Sequence, residues 1–377
     1  MAGPQFDLLA PFGTNPEDKW FRTAYKWNRA KIFEWMEKVA VAGGVEPGDQ
    51  EARIFLTTIY SRLRSLSLPD GSLYKDPTKQ PSSHIARLLD QDWKRDDKTN
   101  SKFIVSGCSF RQSMQTLMGL VPDWWCAYDL LGLFLSLLGP APSAADKNSF
   151  YLPLTAVYAR WCSRIAGHPE SNWNWTPDVQ GEGYLPFVFQ CTWHVEVDNS
   201  TKQHRGRYFL GATTAGDSFV SDPNPEKYPA SWQEPVQEAR FNTLFRCQKI
   251  PMVQINDFKS KAAPNMNLPG RNMVPFGNCA ETYPFAVGFL AERTQNENLM
   301  TGLALKRDFM EKEEYPEYDE FSTSVIWKNL MGPRANCKHL LQGAGAKESQ
   351  FAPKLDKGKA PKRPKSLLKA EKLLVEN

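Results

Sequence analysis

A chain of 377 residues with 41% hydrophobic and 12% aromatic content can bury a large core, so disorder throughout is excluded, and the length suits about two domains. Lysine plus arginine (46) exceed aspartate plus glutamate (42) by only 4, which excludes a whole-chain field strong enough to draw the protein to nucleic acid or membrane. The opening Met1–Asp7 has neither the basic flank nor the apolar centre of a secretory signal, and the most apolar run, Leu130–Leu138, is far shorter than the ~20 residues of a membrane span. With 7 cysteines, an odd number scattered from Cys108 to Cys337, reduced thiols or metal ligands are expected in a cytoplasmic or nuclear protein with no membrane partner.

From Asn15 to about Gly167 the pattern is helical. Asn15 followed by Pro16 suits a helix start, and Trp20, Ala24, Trp27, Phe33, Met36 and Val39 recur at three- and four-residue steps until Gly43-Gly44. A second helix carries Phe55, Ile59, Leu63 and Leu66 on one face and stops at the turn Pro69-Asp70-Gly71. Further helices are expected over 83–93, over 109–138 with a break near Pro122, and over 150–165. Together they read as one bundle.

The period then shortens to two. Phe187, Phe189, Cys191, Trp193, Val195 and Val197 alternate with Gln190, Thr192, His194 and Glu196, which predicts a strand with one buried and one solvated face. Asp198-Asn199-Ser200 makes a turn, and residues 207–212 form the return strand. The stretch from Pro223 to Pro235 reads as a loop, another strand is expected at 251–255, and Met300–Leu305 reads as a short buried strand. Residues 307–320 are acidic and look like an inserted loop, and a last helix starts near Pro333. Beyond Gly345 the chain is rich in lysine and proline and poor in aromatic residues, too polar to bury itself, and is expected to be a disordered basic tail.

Between these strands lies Gly277-Asn278-Cys279-Ala280-Glu281, which opens a helix expected to run to about Arg293, with Gly277-Asn278 suited to a tight turn and an N-cap. Hydrolytic deamination of a cytosine-like ring needs a metal-activated water and a neighbouring carboxylate to move protons. A Cys or His two residues before a glutamate, followed later by Pro-Cys-x-x-Cys, supplies both. This chain has Cys279 and Glu281, then Pro333-Arg334-Ala335-Asn336-Cys337. On these residues it resembles the cytidine deaminase-like superfamily, in particular fungal-type deaminase-like proteins with a Gly-Asn-Cys-Ala-Glu segment. The resemblance covers at most about Leu185 to Leu341. It implies zinc as cofactor, Cys279 and Cys337 as metal ligands, and Glu281 as the catalytic proton shuttle. Arg334 stands where the pattern has its other cysteine, and an arginine cannot bind zinc. His339 sits about 200° around a helix from Cys337, facing away, and Cys191, His194 and Cys247 lie on preceding segments. Pro284 suits only the first turn of a helix, and the family's further strand, helix and strand after the second motif have no counterpart before the tail.

The resulting expectation is an α+β protein: a helical domain over 1–178, a deaminase-like α/β domain with a small mixed sheet over 179–345, and the basic tail over 346–377. Its function would be zinc-dependent deamination of a nucleobase or nucleotide, with nucleotide or single-stranded nucleic acid as partner. Trp124-Trp125 and the segment Trp173 to Trp175 are core or base-stacking residues, and the cluster from Lys359 to Lys365 is a nuclear-import or phosphate-contacting arm or a solvated tail. Two alternatives remain open. One is a non-catalytic interaction protein on a deaminase-like scaffold, binding a protein partner through the helical domain. The other is a thiol hydrolase with Cys279 as nucleophile and His194 or His339 as base. The bland reading makes Cys279 a structural thiol and Glu281 a first-turn carboxylate.

Overall fold

The computed structural model describes residues 24–42, 50–67, 126–139, 141, 145, 147–166, 186–197, 204–214, 236–237, 239–241, 244, 276–285, 300–311, 329–343 and 345–351. The expected start at Asn15, the helix over 83–93, the tryptophans at 124–125 and 173–175, the Pro223 to Pro235 loop, the strand over 251–255, the helix beyond Phe285 and the tail beyond Phe351 lie outside the described residues.

Helix α1 (Arg29–Ala42) has its own cap, because the Asn28 side-chain oxygen accepts the Lys31 N–H at 2.9 Å. Its expected face, Phe33, Met36 and Val39, is buried against α2 (Gln50–Ser67), which contributes Leu56, Ile59 and Leu63. Helix α3 (Ala127–Ser136) is apolar nearly all round because it lies between α2 and the sheet. A π-helical turn at Lys147–Tyr151 leads into α4 (Leu152–Ala166). The Trp161 indole N–H reaches back to the Ala24 carbonyl at 2.7 Å, tying α4 to the first turn of the described chain. Among the described residues no helix is long and apolar enough to cross a membrane.

The sheet comprises β1 (Val188–Val197), β2 (His204–Ala212), β3 (Thr301–Lys306) and β4 (Leu330–Met331), in the order β2-β1-β3-β4. The chain is α+β, but the sheet is not the mixed one expected from sequence: every described neighbouring pair is antiparallel. β3 joins on the far side of β1 from β2, so its neighbour runs the opposite way, and β4 turns back along β3. The outer edge of β2 is covered by the helical layer: the Leu210 N–H reaches the Ser136 hydroxyl at 3.4 Å, and the Gly206 carbonyl accepts the Ala141 N–H at 2.7 Å.

One face of the sheet carries Phe189, Cys191, Trp193, Tyr208, Leu210, Leu303 and Leu305, all buried. Against it lie α3 and α4, with Tyr151 stacked on Trp193 at 4.1 Å and the Tyr158 ring edge-on to Phe189 at 5.9 Å. Residues on both sides of position 178 therefore share one core.

The other face corrects the sequence reading. Gln190, Thr192 and His194, expected in solvent, are buried at 1%, 2% and 5% exposure. Small residues let the covering segments come close at Gln190, which faces Gly211 and Ala304, and on one side of Thr192, which faces Gly302 and, across the other strand, Phe209. At Gly211 any Cβ would fall on the Ala280 carbonyl and the Pro284 ring, and at Gly302 on the Phe351 ring. The polar groups are satisfied locally, with the Gln190 amide donating to the Cys191 carbonyl at 3.1 Å and the Thr192 hydroxyl at 3.2 Å. The His194 ring lies nearly parallel to Phe209 at 6.3 Å.

This second face supports the segment around residue 280, with its single helical turn α5 (Thr282–Pro284), and a short helix α7 (Glu348–Phe351), against which α6 (Ala335–Gly343) packs. Phe285, Met300, Leu340, Leu341 and Phe351 form its core. The segment expected to be disordered from 346 thus has a helical turn at Glu348–Phe351, with Ala346 and Phe351 buried.

Candidate metal centre

The pentapeptide Gly277 to Glu281 sits against the end of β2 on the sheet's second face. Three of its five residues are fixed by packing. Gly277 lies against the backbone of Gln237, where any Cβ would collide with that residue's carbonyl. Asn278 belongs to a 3-10 turn (Phe276–Asn278), and its side-chain oxygen accepts the Thr214 hydroxyl at 2.7 Å. Thr214 in turn receives the Gln237 amide at 2.6 Å and donates its backbone N–H to the Asn278 carbonyl at 3.3 Å. Asn278 is therefore a buried clamp onto the segment that leaves β2 and not the helix cap expected from sequence. Ala280 is small because it meets Gly211. Cys279 and Glu281 are left for chemistry.

Pro284 falls inside the single turn of α5, where a missing N–H costs nothing. The Glu281 carbonyl accepts the Phe285 N–H at 3.0 Å.

Arg240 anchors the turn from behind. It is fully buried, pairs with fully buried Asp129 through two nitrogens, one of them 3.3 Å from the carboxylate, and donates to the Gly277 carbonyl at 3.0 Å and the Ala212 carbonyl at 3.1 Å. Asp129 also accepts the Cys126 N–H at 3.4 Å at the start of α3. One ion pair thus joins the helical layer, the end of β2 and the pentapeptide. Sequence reasoning missed it, although Asp129 is the only charged residue in the apolar run from Cys126 to Leu138, a position that demands a partner.

The structure brings Cys279, Glu281 and Cys337 together. Cys337 comes from the first turns of α6, and the two sulfurs and a carboxylate oxygen all lie within 4.8 Å of one another. Cys279 is half-buried, whereas Glu281 and Cys337 are 6% and 4% exposed. Burial raises the Glu281 pKa above its ordinary value, opposed by hydrogen bonds from its own backbone and from Cys337 and by the charge of Arg334. The Cys337 thiol is pushed well up by its hydrogen bond with Cys279, then by burial and the charges of Cys279 and Glu281.

Arg334 is exposed and stands outside the cluster; its charge steadies ionised Glu281. Cys191 is not in the cluster: it is buried on the first face and hydrogen-bonded to Thr155. His194 lies four residues along β1 from Gln190, the partner of Gly211, which is about 13 Å at strand rise. Cys247 and the side chain of His339 lie outside the described residues. On the helical layer, exposed Val41 and Ile54 are single apolar residues of the kind any surface carries.

The donor set fits a zinc ion. Bonds of ~2.3 Å to sulfur and ~2.0–2.2 Å to oxygen in a tetrahedron place donors about 3.5–3.8 Å apart. Three donors within 4.8 Å need only small adjustments to close on one ion. Among the described residues no further His, Cys, Asp or Glu joins them.

No known family, no curated protein and no solved structure matches this chain.

Proposed function

We propose that the protein is a deaminase-like zinc protein whose centre is Cys279, Glu281 and Cys337, and that hydrolytic deamination of a nucleobase or nucleotide is the activity this centre serves. The observation that carries the reading is the convergence of these three side chains from two separate segments onto one spot within 4.8 Å. The order of elements supports it: a hairpin, the Cys-x-Glu turn, a strand, then a helix whose first turns carry the second cysteine.

Cys279 and Cys337 would hold the ion as thiolates. A zinc ion so held supplies a water of lowered pKa. Beside such an ion the Glu281 carboxylate would be the group that holds a proton and passes it to the ring and the departing amine. Its burial fits this task, because desolvation moves a carboxyl toward the range where it both accepts and releases protons. The clamp from Asn278 to Thr214 and the bond from Arg240 to Gly277 keep the turn in place while the proton moves.

A second reading is favoured by one observation: among the described residues Glu281 is the only donor beyond the two thiols. In that reading its carboxylate is the third ligand, the site is structural, and the protein acts as a binding scaffold.

Elemental analysis of the purified full chain tests the metal. About one zinc per chain is expected, lost in Cys337→Ser and in Cys279→Ala. A metal-free chain of unchanged circular dichroism would sink both readings. Ammonia release from cytosine and adenine nucleotides, free and in single strands, tests the chemistry, and no release from any of them would leave only the scaffold reading.

A further inference from the structure

We propose that Cys279 and Cys337 also form a redox pair, closing to a disulfide when the metal-free chain meets a hydroperoxide. This does not rest on the deaminase reading, since it needs only the two thiols.

Both cysteines are free thiols, their sulfurs lie within 4.8 Å, and they are hydrogen-bonded to each other. A disulfide requires ~2.05 Å between sulfurs. Rotating a cysteine side chain from one staggered position to the next moves its sulfur by about 3 Å, enough to close the remaining gap. The pair is also asymmetric in the way such chemistry needs. Cys279 is half-buried and reachable by an oxidant, while Cys337, at 4% exposure, is shielded and can react only with its neighbour. The other described cysteines, Cys126, Cys162 and Cys191, are fully buried and serve as internal controls.

In the first step the Cys279 sulfur attacks one peroxide oxygen. An S–O bond forms, the O–O bond breaks, and the other oxygen leaves with a proton as water or alcohol. In the second, the Cys337 sulfur attacks the Cys279 sulfur. The S–S bond forms, the S–O bond breaks, and the departing hydroxide takes up the Cys337 proton as water. Two thiols are oxidised and one peroxide is reduced. The product would lock α6 to the turn at residue 280 and remove both thiolates from metal binding.

The test uses the full chain, stripped of metal by a chelator and treated with hydrogen peroxide, then alkylated and digested with trypsin without reduction. The expected result is a cross-link between peptides 272–293 and 335–338, reversed by dithiothreitol, with alkylation lost at Cys279 and Cys337 together and unchanged at the three buried controls. Two separately alkylated peptides, or Cys279 joined to another cysteine, would overturn the proposal. Because metal is removed beforehand, failure here is distinguishable from failure of the zinc reading.

Discussion

Arg240→Met is expected to destabilise the folded chain by about 3–5 kcal/mol, measured by urea denaturation at neutral pH. The cost comes less from the lost attraction than from what remains. Among the described residues Asp129, a charge at 0% exposure, would keep the Cys126 N–H as its donor, and the carbonyls of Gly277 and Ala212 would lose a charged donor each. A loss of this size is a large share of the ~5–15 kcal/mol that holds an ordinary domain together. Removing both charges, as Arg240→Met with Asp129→Leu, should recover most of it, because two apolar side chains can fill the space of a buried ion pair. Arg240→Met costing under ~1 kcal/mol would show that the pair does not brace the core.

Much of the architecture was legible because it repeats. The buried positions of α1 and α2 follow the helical period, and β1 and its return strand follow the strand period. What misled the reading was the second face of β1. Alternation of apolar with polar residues normally means water on the polar side, but here Gly211, Gly302 and Ala304, on other strands, make that side flat enough to be covered. That information is split over segments about a hundred residues apart, and no local window contains it. The site was legible for a different reason. Cys279, Glu281 and Cys337 stand out as chemically distinct residues at helix starts, so a motif found them where periodicity could not. The same motif misassigned Asn278, whose partner is Thr214, two residues beyond the end of β2. It was blind to Arg240, which touches the pentapeptide only through a backbone carbonyl.

Glu281→Gln separates the two functional readings, because it keeps the shape of the side chain and removes its charge. With Glu281 as proton shuttle, zinc content should stay at about one per chain while ammonia release falls by roughly 10²–10⁴. With Glu281 as ligand, zinc affinity should fall by more than the roughly 10–100-fold typical of groups that merely support a ligand. The metal-free chain gives an independent reading of the same carboxyl. Its pKa is raised in the folded state, chiefly by burial, so the folded chain holds this proton more tightly than the unfolded one. The stabilisation is complete below the unfolded glutamate pKa and is lost as pH climbs through the folded value. Chelator-treated wild-type protein should therefore lose thermal stability as pH rises across that window, and Glu281→Gln should lose less. Identical pH profiles for the two would mean that Glu281 is not held in the buried setting on which both of its assigned roles depend.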